Sequence, residues 1–286
     1  MDGMAATAGT PRALALAAAL RRARERAGVG LRELSRRMGK PYATLAHWER
    51  GTRVPRPEDV AVLLTVLEAP ADEREELTEL ARHAAERNWL AVGTPGITQQ
   101  LAAVMECERM AESIVEWSPM VVPGLLQTAD YARAIFQASG APGSLIETQV
   151  TLRMGRRDVL LRQDPVRFTA LIGEPTLYAQ IGGPEVLAAQ LRFLLEMAER
   201  ESVSIRVVPN RAGWHPGHAG PFIVYHLGQS IPPLVHLEHH RSGIFLSGSR
   251  EVETYQEAAS SVTEVALPPE ESVQRITTAI KEMEEA

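Results

Sequence analysis

The chain has 286 residues, 45% of them hydrophobic and 23% charged, with a net charge of -6. That length accommodates two domains of roughly 100–200 residues each, and no apolar run approaches the ~18 residues a membrane span needs, so the sequence reads as a soluble globular protein. The single cysteine, Cys107, excludes an intrachain disulfide and a cysteine-built zinc site and fits a reducing cytoplasm.

Residues 1–10 read as a disordered tail and residues 11–88 as a first domain. Charge is unevenly spread: between Arg12 and Arg56 there are twelve basic residues against three acidic ones, and elsewhere 18 against 33. A basic end of this kind is the electrostatic footprint of nucleic-acid binding, while the acidic remainder discourages unspecific adhesion. A solvated arginine-rich helical face is the plainer explanation of the same charges. The stretch "ALALAAALRRARERAG" carries its arginines after the apolar run, unlike a targeting signal. It predicts an amphipathic helix with Leu14, Ala18, Ala19, Ala23 and Ala27 at helical spacing and Gly28 as its terminator. A second helix, Leu31 to Met38, puts Leu34 and Met38 on one face and closes at Gly39.

Pro41, tolerated in a first turn, opens a third helix in "PYATLAHWERG", whose inward stripe is Leu45 and Trp48. Two helices of about eight to ten residues joined by a glycine turn have the form of a helix-turn-helix, whose second helix enters the major groove. That groove is about 12 Å wide and admits one helix. With Leu45 and Trp48 turned inward, Tyr42, Ala43, Ala46 and His47 lie on the opposite side, within reach of base edges. Tyr42 covering a core edge, and His47 as an exposed histidine without a task, are the alternatives at these positions. After Gly51, "TRVPRP" is a turn carrying Arg53 and Arg56, and "PEDVAVLLTVLEA" and "DEREELTELARHAAER" predict two more helices, completing a five-helix, all-α domain.

"GTPG" at 93–96 marks a boundary within a linker placed at 89–97. From 98 to 286 the pattern predicts an α+β domain. Helical stretches come first, over 98–116, "TADYARAIFQASG" and "SLIETQVTLRMGRRDVLLR"; the strand-like "VRFTALIG" and two helical segments ending at Arg200 follow. "VSIRVVP", "GPFIVYHL" and "PLVHLEHH" then read as a small antiparallel sheet, and two helices close the chain. Pro123 and Gly124 make a turn, and Thr128 with Asp130 suits the start of the helix that holds Tyr131 and Phe136.

The histidines are the best argument for an enzyme. His215 and His218 flank a Pro-Gly loop, and His236, His239 and His240 surround Glu238, a set that could offer nitrogen and carboxylate ligands. In a strand, however, His236 and Glu238 share a face that His239 does not, so no metal site is expected. There is no Gly-rich phosphate loop, GxSxG elbow or Cys/His pair. The expectation is a protein with no catalytic residues and no cofactor.

The stretch "LRRARERAGVGLRELSRRMGKPYATLAHWERGTRVPRPEDVAVL" resembles, without a gap, the XRE-type helix-turn-helix family of phage repressors and their bacterial relatives. The resemblance implies that Tyr42, Ala43 and His47 read bases, with Ala46 on the same face. It places Thr44, Arg50 and Arg53 at phosphates, with Arg56 in the following turn completing the expected DNA-binding set, and it implies a partly buried ion pair, Arg24 with Glu49, between the first and third helices. Leu31 departs from the pattern, since family members often have a polar residue there that reaches a phosphate.

"WSPMVVPGLLQTADYARAIF" and "VVPNRAGWHPGHAGPF", continued by "RRDVLLRQ", "GEPTLYAQIGG" and "LAAQLRFLLEMAE", resemble the C-terminal domain of unknown function fused to such heads in actinobacterial, antitoxin-like regulators. The implied partners are double-stranded DNA, a second copy of the chain, a small partner protein and an unidentified small-molecule ligand, with no membrane and no reaction. Pro123, Gly124, Leu125, Leu126, Gln127 and Tyr131, with Trp214, His215 and His218, form the expected ligand or partner region. The resulting expectation is a cytoplasmic, sequence-specific DNA-binding regulator, with partner sequestration and autoregulation as the alternative.

Overall fold

The structure, a computed structural model, describes residues 11–84, 89–92, 99–227, 232–239 and 242–285. In chain order its elements begin with α1 (Pro11–Arg26), α2 (Leu31–Met38), α3 (Tyr42–Glu49), α4 (Pro57–Val66), α5 (Ala71–Arg82), β1 (Trp89–Val92), α6 (Gln99–Met110) and β2 (Ser113–Ser118). They continue with α7 (Ala129–Ala138), α8 (Gly143–Arg156), α9 (Asp158–Leu161), β3 (Arg167–Gly173), α10 (Pro184–Ala198) and β4 (Val203–Val208). The last are β5 (Phe222–His226), β6 (Leu234–His239), β7 (Ser242–Leu246), α11 (Ser249–Val265) and α12 (Pro269–Glu284). The chain divides into two units: one runs to Met110 and takes in Leu227–Val252, and the other comprises Ala111–His226 and the chain from Glu253 on. The expected tail at 1–10 and the "GTPG" boundary lie outside the described residues.

In the first unit the five expected helices form, with α1 as their hub. Residues 13–18 of α1 are all buried, around its whole circumference. Alanine makes this possible, because it lets α3, α4, α5 and α6 approach from different sides. Gly51, after α3, shows how close they come: at φ 69° it holds a conformation other residues resist, and a Cβ there would lie 2.8 Å from Leu14 Cδ2. The α2–α3 turn is closed by Gly39 at φ 61°, with the Lys40 amide donating to Ser35 O and the Ser35 hydroxyl donating to Lys40 O at 2.6 Å.

The first unit also holds an antiparallel ladder in the order β1, β7, β6, with Trp89 opposite Phe245 and Leu237 opposite Ile244. β1 falls inside the expected linker. Its pairing is decided by β7, which lies far along the chain, and so leaves no local signal.

In the second unit the strand order is β5, β2, β3, β4. The α+β class is as expected, but the sheet is mixed where a small antiparallel one was anticipated. β2, β3 and β4 are parallel, and only β5 in this unit runs antiparallel, against β2. Parallel neighbours need a crossover, and α7 to α9 supply it between β2 and β3, as α10 does between β3 and β4. "VSIRVVP" and "GPFIVYHL", adjacent in sequence, are therefore separated by two strands. The reading of 98–116 as one helical stretch is also corrected: the helix ends at Met110, and Ser113–Ser118 pairs with both β3 and β5.

Strand β3 is buried on both faces from Ala170 to Gly173, as befits the interior of a parallel sheet. The outer edge of β4 is closed at Val207, whose amide donates to Ser272 Oγ at 2.9 Å and whose carbonyl accepts from Leu267 N at 2.8 Å. At the end of β3, Gly173 meets the chain leaving β2 so closely that a Cβ would sit 2.3 Å from Pro119 O. Gly173→Ala should therefore destabilise the protein by about 1–3 kcal/mol, measured as a lower urea midpoint at unchanged slope.

Candidate nucleic-acid interface

Helix α3 is fixed from behind. Leu45 and Trp48 are buried, and Arg24 on α1 grips Glu49 with two parallel bonds, Nε to Oε1 at 2.7 Å and Nη2 to Oε2 at 2.9 Å. The third arm of the same guanidinium, Nη1, donates to Val29 O at 3.1 Å. One side chain thus joins α1, the turn before α2 and the end of α3. The bond to Glu49 raises the Arg24 pKa above its ordinary value, outweighing the opposing effect of burial. The structure therefore brings together the two residues that the family resemblance paired.

With its rear committed, α3 turns Tyr42, Ala43 and His47 outward as exposed residues, with Thr44 and Ala46 half-buried beside them. Tyr42 is 51% exposed, so it does not cover a core edge. The orientation of His47 is set by Thr52: the Thr52 hydroxyl donates to His47 O at 3.2 Å and lies 2.9 Å from His47 Nδ1. Arg50 folds back at its Nε, which donates to Ala46 O at 3.0 Å.

Beside α3 lies a cavity of about 510 Å³ whose walls include Thr44, Trp48, Arg53 and Arg56, together with Lys40 and Asp59. Lys40 Nζ pairs with Asp59 at 2.7 Å and sits 5.7 Å from the centre of the Trp48 ring. Three cations and the Thr44 hydroxyl share this cavity with the carboxylates of Glu58 and Asp59, and with Lys40 paired to Asp59 it is Arg53 and Arg56 that are suited to a phosphate backbone. Sequence reasoning missed Lys40 and Thr52. A lysine in the helix-turn-helix turn was a usable signal for the first; Thr52 gains its role only when the chain turns back after α3.

Most of the expected ligand or partner region is interior. Pro123, Leu125, Leu126, Gln127 and Tyr131 are buried, and Gly124 is half-buried under the guanidinium groups of Arg153 and Arg156. The reason lies in hydrogen bonding. The irregular backbone after β2 must be satisfied inside the protein, and Gln190 does part of this, accepting from Thr128 N and donating to Leu126 O, each at 2.7 Å. Gln127 Nε2 donates to Val122 O at 2.8 Å, Arg157 donates to Gln127 O, and Val122 N donates to the Tyr131 hydroxyl. These contacts hold the backbone that follows β2.

His215 is buried too, its ring edge-on to Trp117 at 5.4 Å. Burial, helped by His218, lowers its pKa. Only Trp214 and His218 of that group stand exposed. Among the described residues no group of three or more His, Cys, Asp and Glu side chains is placed to hold a metal ion. His236 instead stacks on Phe245 at 4.4 Å, while the side chain of His239 and all of His240 lie outside the described residues. No helix among the described residues is long and apolar enough to cross a membrane.

Comparison with known families matches residues 15–77 to a helix-turn-helix domain and residues 101–278 to a domain of unknown function, DUF5753. Comparison with curated proteins finds no match. The helix-turn-helix match spans α1 to α4 and much of α5, the elements that build and hold the outward face of α3.

Removing one partner from a buried ion pair strands the other. Arg24→Ala should cost about 3–5 kcal/mol, while Arg24→Met with Glu49→Met should recover most of that loss. Chemical denaturation of the two variants side by side measures the difference.

Proposed function

The chain belongs to the DUF5753 family, and we propose that it is a sequence-specific DNA-binding transcriptional regulator that acts in the cytoplasm as a homodimer. One observation carries the reading: Tyr42, Ala43 and His47 face outward from a helix whose rear is held by the Arg24–Glu49 pair, and Lys40, Arg53 and Arg56 line a cavity alongside it. The cations would position the protein on phosphates, and the outward side chains would read base edges. His47, whose Nδ1 is engaged by Thr52, would turn its other ring nitrogen to a base edge, and Ala43 suits a thymine methyl. On this reading the head is of the XRE type, joined to the C-terminal domain as in actinobacterial regulators.

The homodimer follows from reach. One eight-residue helix covers few base pairs, and two-fold copies spaced by about 34 Å along the duplex are the usual remedy. The C-terminal domain would hold the copies together and take a ligand or a small partner protein, as in antitoxin-like pairs, changing DNA affinity by biasing dimer geometry. No catalytic step belongs to this reading.

Selection of bound sites from random DNA supplies the target. On that site Tyr42→Ala or His47→Ala should cost about 1–3 kcal/mol, with little change on random DNA. Arg53→Ala should weaken binding to both and lower the salt slope by about one unit. Equal losses on selected and random DNA for all three variants would overturn the assignment of α3 as the reading helix.

A further inference from the structure

We infer that the loops at the carboxyl ends of β2, β3 and β4 form a self-complementary apolar face on which a second copy of this chain docks. The three strands are parallel, so the loops that follow them leave the same end of the sheet. Of the seven large hydrophobic side chains exposed among the described residues, four stand on these loops: Met120 at 58%, Val121 at 40%, Tyr178 at 39% and Trp214 at 80%. Singly scattered apolar residues are ordinary on a surface, but a gathering of them marks a place of interaction.

The loops are fastened to the sheet. Trp117, at the end of β2, donates its indole N–H to Gly217 O at 2.8 Å, and a Cβ on Gly217 would come within 2.7 Å of that nitrogen. His215, buried against Trp117, anchors the neighbouring Trp214. Following β2 itself, the Ser118 hydroxyl donates to Val121 O at 2.7 Å, turning Met120 outward at the tip. Trp214 and the Met120–Val121 pair are therefore held at the same strand end by its two adjoining loops. Side chains presented this way lose little freedom on binding.

Charge selects the occupant. "SPMVVPG" (118–124) and "AGWHPGHAG" (212–220) contain no Asp, Glu, Lys or Arg, although their unit holds 19 acidic against 12 basic residues. Two copies of an acidic body repel over most of their surfaces and meet most easily through a chargeless patch. Across a two-fold axis the same patch faces itself, which would oppose like charges if it carried any near the axis. A surface built for a basic or acidic partner would carry the complementary sign. The charged groups around the two segments are Arg153 and Arg156 at Gly124, exposed Arg211 beside Ala212, and, toward Tyr178, Arg275 paired with Glu174 at 2.5 Å, placed as a polar rim would be. Eleven of the 16 residues in the two segments are exposed or half-buried, about half of the roughly 20–30 per side in a standard interface, and tryptophan is among the residues enriched at interface anchors.

The inference rests on the homodimer in the proposed function and is tested apart from it, on the full chain. Sedimentation equilibrium should show a dimer, with Trp214→Ser and, separately, Met120→Asp weakening self-association more than tenfold. Leu161→Ser, an exposed apolar site on a different element, should leave it intact. Unchanged circular dichroism would confirm folding, and binding to a single half-site should persist in all variants. A wild-type chain that stays monomeric at tens of micromolar overturns the inference while leaving DNA reading by α3 in place. A dimer undisturbed by either substitution overturns it while leaving the homodimer in place.

Discussion

The bidentate contact of Arg24 with Glu49 is the constraint on which the reading face depends. A helix of eight residues has little stability of its own, and Leu45 and Trp48 fix its depth better than its rotation. Two parallel bonds between planar groups fix rotation, because a guanidinium and a carboxylate meet well in only a narrow range of angles. The pair contributes little to net stability, since burying both charges offsets most of their attraction. Its value is geometric: it leaves one orientation of α3 in which no buried charge is unpaired. Arg21, one turn earlier on α1, makes a comparable contact with buried Glu106 on α6, at 2.9 Å, and Arg109 joins the same carboxylate. α1 therefore holds the reading helix on one side and α6 on another, through arginines three residues apart. The family match begins at Leu101, so α6 falls within DUF5753 while packing on the helix-turn-helix head.

A second constraint shapes the other unit. Parallel strands oblige the chain to cross over, and the crossovers place every exit from β2, β3 and β4 at one end. Those exits are crowded, as the absence of room for a Cβ at Gly173 and at Gly217 shows. Irregular backbone in so tight a space must find its hydrogen bonds within the protein, which is why Gln127 and Gln190 are buried and Tyr131 lies beneath them. The segment "VPGLLQT" is distinctive in sequence because its packing is demanding.

The head was legible because its signals are local. Gly28 and Gly39 end helices in the left-handed conformation, Pro41 precedes α3, and the apolar spacing of Leu34, Leu45 and Trp48 marks the core, all within a few residues of what they decide. The sheet was legible only in part. "VRFTALIG" and "VSIRVVP" announce strands through β-branched residues, yet nothing nearby says that they lie parallel, since that depends on what α10 does between them. "SIVEWS" directly follows a helical run and was absorbed into it; it is a strand because β3 and β5 offer their edges. Lys40 and Thr52 took their places in the site through tertiary turns, and Trp214, singled out only by resemblance, is distinguished from its buried neighbour His215 by its exposure.

The two proposed surfaces solve a shared problem of affinity. On the proposed reading each α3 would offer a few base contacts at about 1–3 kcal/mol apiece, too little to single out one site among the many that a basic head would hold through phosphates alone. Joining two heads makes the second contact intramolecular, so modest half-site energies act together without any new contact to DNA. An interface built from one tryptophan and a few aliphatic side chains need not be tight for this, because DNA bearing both half-sites itself favours the paired form. A weak apolar interface would have a further consequence: salt would loosen the proposed grip of Arg53 and Arg56 on phosphate while leaving the contact between copies largely unscreened. Occupancy would then respond to ionic strength through the head and to protein concentration through the loops, two dependences set by separate parts of the chain.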